Sequence, residues 1–159
     1  LSIGGFIDRL DAVAANGHAN VNNLAERIRV IDYKTGRIST TRPRVLSEVF
    51  DPSMLNKHTD YYLQSMLYSI IVSHNRNLNP AQEPVSPGLL FIQNAGAEDY
   101  DPTLKMGKEL ISSIDVYEEE FMKQLKVLIA NIFDKDQPFR PTDDKHRCEY
   151  CPYAALCKS

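Results

Sequence analysis

The chain has 159 residues, of which 43% are hydrophobic and 25% are charged, and this size and composition suit one compact soluble domain. No apolar run approaches the roughly 20 residues that a membrane-spanning helix requires, so we expect no membrane partner. The formal net charge of −3 does not favour nucleic-acid binding, because phosphate contacts require lysine and arginine. The charge is uneven, however, since six basic residues between positions 27 and 44 accompany one acid, Asp32; they are Arg27, Arg29, Lys34, Arg37, Arg42 and Arg44.

Two strands are predicted near the beginning of the chain. Residues 5–11 alternate between apolar and polar side chains, and residues 27–34 are rich in β-branched residues and are followed by a Thr35-Gly36 turn. Residues 14–20 are rich in turn formers, so we predict a hairpin with a long loop. Because residues 1–6 resemble the start of a strand rather than a leader, we expect the chain to be part of a longer protein.

The second half of the chain predicts two helices and one strand. In residues 57–74 the apolar positions follow helical spacing, and the predicted buried stripe is Leu63, Met66, Leu67, Ile70 and Ile71. Residues 89–92 form a short apolar run that predicts a buried strand in the middle of the sheet. Asp115 and Glu118 resemble a capping box at the start of a helix that ends near Phe133.

This order of elements predicts an α/β or α+β fold, with one mixed central sheet flanked by helices. We divide the chain into a core, residues 1–134, and a cysteine-containing tail, residues 135–159, which we expect to pack on the same domain. The sequence contains no internal repeat and no low-complexity tract.

Two aspartates and a lysine form a candidate metal centre. Side chains alternate along a strand, so Asp32 and Lys34 share one face. If the hairpin brings Asp8 alongside Asp32, a divalent cation would relieve the repulsion between the carboxylates, and Mg²⁺ or Mn²⁺ suits such oxygen ligands. The metal would polarise a phosphodiester, while Lys34 would orient the attacking water or stabilise the transition state. Asp11 points away from Asp8 in a regular strand, so we do not expect it to join the site.

Three segments together resemble the successive motifs of the RecB-like branch of the PD-(D/E)XK nuclease superfamily; they are GFIDRLD at 5–11, VIDYKTG at 30–36 and QSMLY at 64–68. The resemblance implies a restriction-endonuclease-like fold. It implies a metal bound by Asp8, Asp32 and the backbone carbonyl of Tyr33, and a catalytic Lys34. The glutamine and tyrosine of the family's helix motif fall on Gln64 and Tyr68, one turn apart on one helix face. In this family an upstream helix often supplies another metal ligand, and we expect that helix to precede Leu1.

The cysteines follow the pattern C-x2-C-x5-C at Cys148, Cys151 and Cys157. Three thiolates this close favour a zinc or iron–sulfur site over disulfides. The tail is similar to the C-terminal element of AddB-type nucleases and of CRISPR-associated adaptation nucleases, which implies a [4Fe–4S] cluster whose fourth cysteine lies upstream of this chain. Two alternatives remain open, a zinc site completed by His146 and cysteines packed as small apolar residues. The other histidines are expected in loops or on helix surfaces rather than as ligands; they are His18, His58 and His74.

These features predict a Mg²⁺-dependent deoxyribonuclease, with exonuclease activity expected. It is most similar to the nuclease domain of an AddB-type subunit, whose partners would be DNA, the rest of the parent chain and a helicase subunit in the cytoplasm. Arg37, Arg42 and Arg44 are the candidate DNA contacts. Two alternatives are a non-catalytic DNA-binding module of the same fold and a zinc-stabilised interaction domain. The intact set of Asp8, Asp32 and Lys34 favours catalysis.

Overall fold

The computed structural model describes residues 3–14, 26–36, 42–98, 100–138, 140, 142, 146–149 and 151–157. The chain divides into two compact units, Leu1–Lys126 and Val127–Ser159. The first unit contains β1 (Arg9–Val13), β2 (Arg27–Lys34), α1 (Thr59–His74), β3 (Val85–Phe91), β4 (Lys105–Met106) and β5 (Glu109–Leu110). Helix α2 (Asp115–Ile132) begins in the first unit and ends in the second, which also contains α3 (His146–Glu149) and α4 (Ala154–Cys157). Short 3-10 helices cover Leu46–Val49, Pro52–Lys57 and Ile92–Asn94. The chain is therefore a mixed α+β protein.

Strand β2 is the middle strand of a three-stranded sheet with the order β1-β2-β3. It pairs antiparallel with β1, with Arg9 opposite Ile31, and parallel with β3, with Asp32 opposite Leu89. Val30 and Ile31 are β-branched residues that suit a strand covered on both faces, and they are 0% and 1% exposed. The predicted mixed sheet, the hairpin pairing and the bounds of this strand are confirmed.

The first strand lies further along the chain than predicted. We expected residues 5–11, but β1 covers Arg9–Val13 and Phe6 is 93% exposed. The ladder stops because the carboxylate of Asp8 accepts the Tyr33 N–H at 2.8 Å, a bond that a continuing ladder would direct to a backbone carbonyl. Most of the predicted loop at 14–20 lies outside the described residues.

The predicted position of the third strand was also wrong in part. Strand β3 begins at Val85 rather than at 89, and Ile92 already belongs to the following 3-10 helix. In the described sheet β3 is an edge strand, not a middle one. Its outer side is nonetheless occupied, because the Leu89 N–H donates to the Pro102 carbonyl at 2.8 Å. A bridge between Gly88 and Thr103 continues this contact, which explains why an edge strand can be so apolar.

Helix α1 packs against β3 through small residues. Ser65 is fully buried and its hydroxyl donates to the Gly88 carbonyl at 3.2 Å, while the Ser69 hydroxyl donates to the Ser65 carbonyl at 2.9 Å. The predicted stripe is therefore only partly correct, since Met66 and Ile70 are buried, Leu63 and Leu67 are half-buried and Ile71 is exposed. Serines let the helix approach the sheet closely, so their side of the helix faces inward. Helix α1 begins at Thr59, two residues later than predicted, and ends as predicted.

Helix α2 confirms the predicted helix but not its capping box. Asp115 is already the first helical residue, and its N–H donates to the Ser113 hydroxyl at 3.3 Å. Glu118 does not reach back to the helix start, because its Oε1 lies 2.7 Å from Nε2 of His74. Within the first unit Phe121 is 0% exposed and meets Phe50 edge to face at 5.1 Å. No helix within the described ranges has both the length and the apolar character that crossing a bilayer demands.

Candidate active site

Asp32 lies near the end of β2 on the same face as Val30 and Lys34, as strand alternation predicts. Asp32 is buried, with 6% of its surface exposed. Its Oδ2 lies 2.5 Å from Nζ of Lys34, yet among the described residues no donor approaches that oxygen with hydrogen-bonding geometry. The contact is thus an ion pair by distance rather than a directed hydrogen bond. An ionised carboxylate has about four lone-pair sites, so the ion pair with Lys34 leaves others available for a cation.

Asp8 lies at the same end of the hairpin, immediately before β1. Its Oδ2 accepts the backbone N–H of Tyr33 at 2.8 Å. Arg9 is opposite Ile31 in the ladder, so extending the antiparallel register by one residue places position 8 opposite position 32. The structure therefore brings both predicted carboxylates to one end of the β1–β2 pair.

The ammonium of Lys34 has three neighbours on this face. Besides Asp32, its Nζ donates to Oε1 of Gln64 at 3.3 Å and lies 4.2 Å from the ring centroid of Tyr61. The side chain is 16% exposed. A carboxylate, a neutral amide oxygen and an aromatic ring all attract a cation, so the lysine is held at the edge of the sheet instead of extending into solvent.

Gln64 and Tyr68 extend this chain of contacts along α1. The Gln64 side chain accepts from Lys34 through Oε1 and donates to the Tyr68 hydroxyl through Nε2 at 3.4 Å. The Tyr68 hydroxyl packs against the backbone of Gly5, where a Cβ would lie in steric conflict with it. The three motifs that resembled one family are therefore adjacent in space.

Asp11 belongs to the opposite face of the sheet. Its carboxylate pairs with Arg9 at 2.5 Å and with Arg29 at 3.2 Å, and Arg29 also pairs with Asp101 at 3.0 Å. Burial alone would raise the pKa of Asp101, but hydrogen bonds from Thr103 and the charge of Arg29 outweigh it and lower that pKa. The hydrogen bond to Asp11 raises the pKa of the Arg9 guanidinium. Asp11 is therefore paired with arginines on the face opposite to Asp32 and does not join the candidate site, as expected. These ion pairs also neutralise part of the positive charge between positions 27 and 44.

The arginines proposed to contact DNA fall in different places. Arg37 lies outside the described residues. Arg42 and Arg44 are exposed, and Arg42 lines a cleft of about 260 Å³ together with Tyr62. The backbone N–H of Arg44 donates to Oε2 of Glu48 at 2.8 Å. The two guanidinium groups remain on the surface of the first unit.

A second cleft, of about 400 Å³, opens beside Lys34; its lining residues are Tyr33, Lys34, Thr35, Gly36, His58, Tyr61 and Phe91. Two of them, His58 and Tyr61, were not among the predicted site residues. His58 was expected in a loop or on a helix surface rather than as a ligand. It lies half-buried between the 3-10 helix and α1, and its ring stacks on Tyr61 with centroids 4.9 Å apart and planes 16° apart. Tyr61 lies three residues before Gln64, and this helical spacing places both residues on one side of α1. The spacing is therefore the sequence signal that would have identified Tyr61 as a site residue.

The donors at this site fit a hard divalent cation. Asp8 and Asp32 supply carboxylate oxygens, one of them buried and lacking a directed hydrogen bond. In the described part of the chain, no group of three or more His, Cys, Asp or Glu side chains is arranged to hold a metal. Mg²⁺ does not require such a group, because it commonly takes one or two carboxylates and completes its octahedron with water and substrate phosphate.

The cysteines lie in the second unit, as thiols rather than disulfides. Cys148 and Cys151 are half-buried and Cys157 is exposed, and the Cys151 N–H donates to the Cys148 carbonyl at 3.4 Å. The side chain of His146 lies outside what the structure describes. A metal at these cysteines, and the packing of residues 135–159 on the core, therefore stay predictions.

The family of the chain follows from a comparison with known proteins. The model of the PD-(D/E)XK nuclease superfamily matches residues 1–158, so the chain belongs to this superfamily. Its members share a metal-dependent, nuclease-like fold, generally use divalent metals such as Mg²⁺, and the membership indicates phosphodiesterase activity. No curated protein and no solved structure matches the chain significantly.

Proposed function

We propose that this chain is a Mg²⁺-dependent deoxyribonuclease in which Asp8 and Asp32 bind the metal and Lys34 acts on the scissile phosphate. One observation carries the proposal: Nζ of Lys34 contacts both Oδ2 of Asp32, at 2.5 Å, and Oε1 of Gln64, at 3.3 Å, beside an open cleft.

The backbone of Tyr33 supports a third oxygen ligand. Its N–H points to Asp8, and in an extended strand the N–H and C=O of one residue point to the same side. The Tyr33 carbonyl therefore faces the side on which Asp8 lies. Two carboxylates and one carbonyl would leave the remaining positions of an octahedral ion to water and phosphate.

Each side chain has a defined part in hydrolysis. A water oxygen bonds to phosphorus while one P–O ester bond breaks, which leaves one phosphate end and one hydroxyl end. A bound divalent cation supplies Lewis acidity and lowers the pKa of a bound water. Lys34 donates to the water or to a phosphate oxygen, so its charge opposes the negative charge that grows on the phosphate. Gln64 orients this ammonium through a neutral amide oxygen and so does not cancel its charge.

The substrate and the biological setting are proposed on further grounds. Exposed Arg42 and Arg44 are suited to phosphate contacts, which supports DNA as the substrate. The residues of the three motifs support the RecB-like branch, and the C-x2-C-x5-C tail supports an AddB-type parent with a [4Fe–4S] cluster and a helicase partner. Exonuclease action in the repair of broken DNA would follow from that parent.

Two substitutions separate the proposed roles. Lys34→Ala should lower the rate of Mg²⁺-dependent cleavage of labelled oligonucleotides by about 100-fold or more, as for loss of a donor to developing charge, while calorimetry still detects Mn²⁺ binding. Asp32→Ala should abolish Mn²⁺ binding and cleavage together. Lys123→Ala is the matched control, since Lys123 is exposed and pairs only with Glu120 among the described residues. Cleavage by Lys34→Ala within about twofold of this control would contradict the role of Lys34, and unchanged Mn²⁺ affinity in Asp32→Ala would contradict that of Asp32.

A further inference from the structure

The cleft beside Lys34 has an aromatic wall that the hydrolytic chemistry does not use. His58 and Tyr61 line it, with their rings stacked at 4.9 Å and nearly parallel. Neither side chain belongs to the proposed metal centre. Aromatic side chains that line a groove are what proteins use to stack the bases of single-stranded nucleic acid.

The backbone of His58 strengthens this interpretation. The residue has φ 58° and ψ 39°, the left-handed conformation that glycine or asparagine adopts more easily. This conformation is uncommon for any residue other than glycine, although histidine tolerates it better than most, and such residues cluster at functional sites. Its backbone also connects the 3-10 helix to α1, since its N–H donates to Leu55 and its carbonyl accepts from Tyr61. The imidazole is thus kept at a position that the fold alone would fill better with glycine.

Lys34 connects this wall to the scissile phosphate. Its Nζ lies 4.2 Å from the centroid of the Tyr61 ring, so a phosphate contacting the ammonium would bring the attached nucleotide within reach of the rings. The cleft of about 400 Å³ falls within the range of roughly 300–1,000 Å³ typical of small-ligand sites. A base paired inside a duplex is stacked on its neighbours and cannot reach the wall, whereas an unpaired base can.

We propose that the His58 ring, supported from behind by Tyr61, forms a base-stacking subsite that holds one unpaired nucleobase next to the scissile phosphate and so selects single-stranded DNA. This inference rests on the proposed nuclease function, because Lys34 is what defines the neighbouring phosphate. It requires no base-specific hydrogen bond, so the preference is for an unpaired strand rather than for a sequence.

Equilibrium binding tests the subsite without requiring cleavage. Fluorescence anisotropy, with the intact protein and Ca²⁺ in place of Mg²⁺, compares a twelve-nucleotide oligothymidine with an oligomer of the same length and charge in which every residue is abasic. Stacking of one base should make the wild-type protein bind oligothymidine about 5- to 150-fold more tightly. His58→Asn retains a residue that tolerates the left-handed conformation but removes the ring, so it should lose most of this preference while its affinity for the abasic oligomer stays unchanged. His74→Asn makes the same substitution at an exposed histidine that does not line this cleft, so it is the control and should behave as wild type.

Two results would overturn the subsite. One is equal affinity of the wild-type protein for both oligomers. The other is a His58→Asn variant that weakens both to the same extent or weakens neither. The proposed nuclease function fails by a different result, namely cleavage that persists in Lys34→Ala. The two failures are therefore distinguishable.

Discussion

Replacing Gly5 with alanine tests whether the segment before β1 holds the proposed catalytic side chains in place. A Cβ at Gly5 would lie 2.8 Å from Cζ and 3.1 Å from Cε1 of Tyr68, and nearer still to the hydroxyl oxygen. Real Cβ atoms do not approach so closely, so the Tyr68 ring or the backbone must move. Tyr68 accepts from Gln64, and Gln64 accepts from Lys34. A displacement at Gly5 should therefore reach the lysine.

The expected change in the free energy of unfolding follows from a comparison of Gly5 with Gly4. Overpacking of this kind costs about 1–3 kcal/mol, while restricting the unfolded chain by a glycine-to-alanine change contributes about 0.4–1 kcal/mol of stability. A Cβ added at Gly4 would meet no heavy atom within 4 Å, and neither Gly4 nor Gly5 has a positive φ. Gly4→Ala is thus a matched control that shares the unfolded-state contribution and lacks the clash. The two variants should differ by about 1–3 kcal/mol in free energy of unfolding.

The assay combines urea unfolding with cleavage kinetics. Gly5→Ala should reduce kcat by up to about 100-fold, the loss expected when a reacting group is displaced by about 1 Å, whereas Gly4→Ala should cleave as wild type does. In a Tyr68→Phe background the loss of stability caused by Gly5→Ala should shrink, because the nearest atom has been removed. If Gly5→Ala matched Gly4→Ala in both stability and kcat, the coupling from Gly5 to Lys34 would be refuted.

Two further predictions concern Tyr62 and the cysteine tail. Burial raises the pKa of Tyr62 to about 12, against the usual 10. The unfolded chain therefore loses the phenolic proton at a lower pH than the folded protein does. The free energy of unfolding is unaffected by this group below pH 10 and falls by about 2–3 kcal/mol as the pH rises to about 12. Urea unfolding at about pH 9 and about pH 11.5, on either side of the usual tyrosine pKa, should show a smaller loss in Tyr62→Phe than in wild type, and equal losses would contradict the prediction. For the tail, the parent protein purified without oxygen should contain iron and sulfide that Cys151→Ser removes, whereas zinc alone would rule out the cluster.

Local patterns in the sequence were sufficient where a strand or helix is decided by its own residues. The β-branched residues of positions 27–34 specified β2, and the alternation of side chains along a strand specified the shared side of Asp32 and Lys34. Helical spacing specified α2 and the end of α1. These features depend on periodicity and on β-branched or apolar side chains, which act over a few residues. The superfamily was recognisable for a separate reason, because its motifs are short runs of consecutive residues that can be read without the fold.

Tertiary contacts decided the rest. The start of β1 depends on the Asp8 carboxylate replacing a ladder partner for Tyr33, and the inward side of α1 depends on Ser65 meeting Gly88, so neither is visible in a local pattern. The stacking of His58 on Tyr61 is found at a left-handed residue that joins a 3-10 helix to α1, a conformation that no local sequence pattern indicated. By itself, the sequence predicted the residues to which we assign the chemistry, namely Asp8, Asp32 and Lys34. Only the fold decided what surrounds them, because a site's neighbours come from distant segments whose packing no single segment encodes.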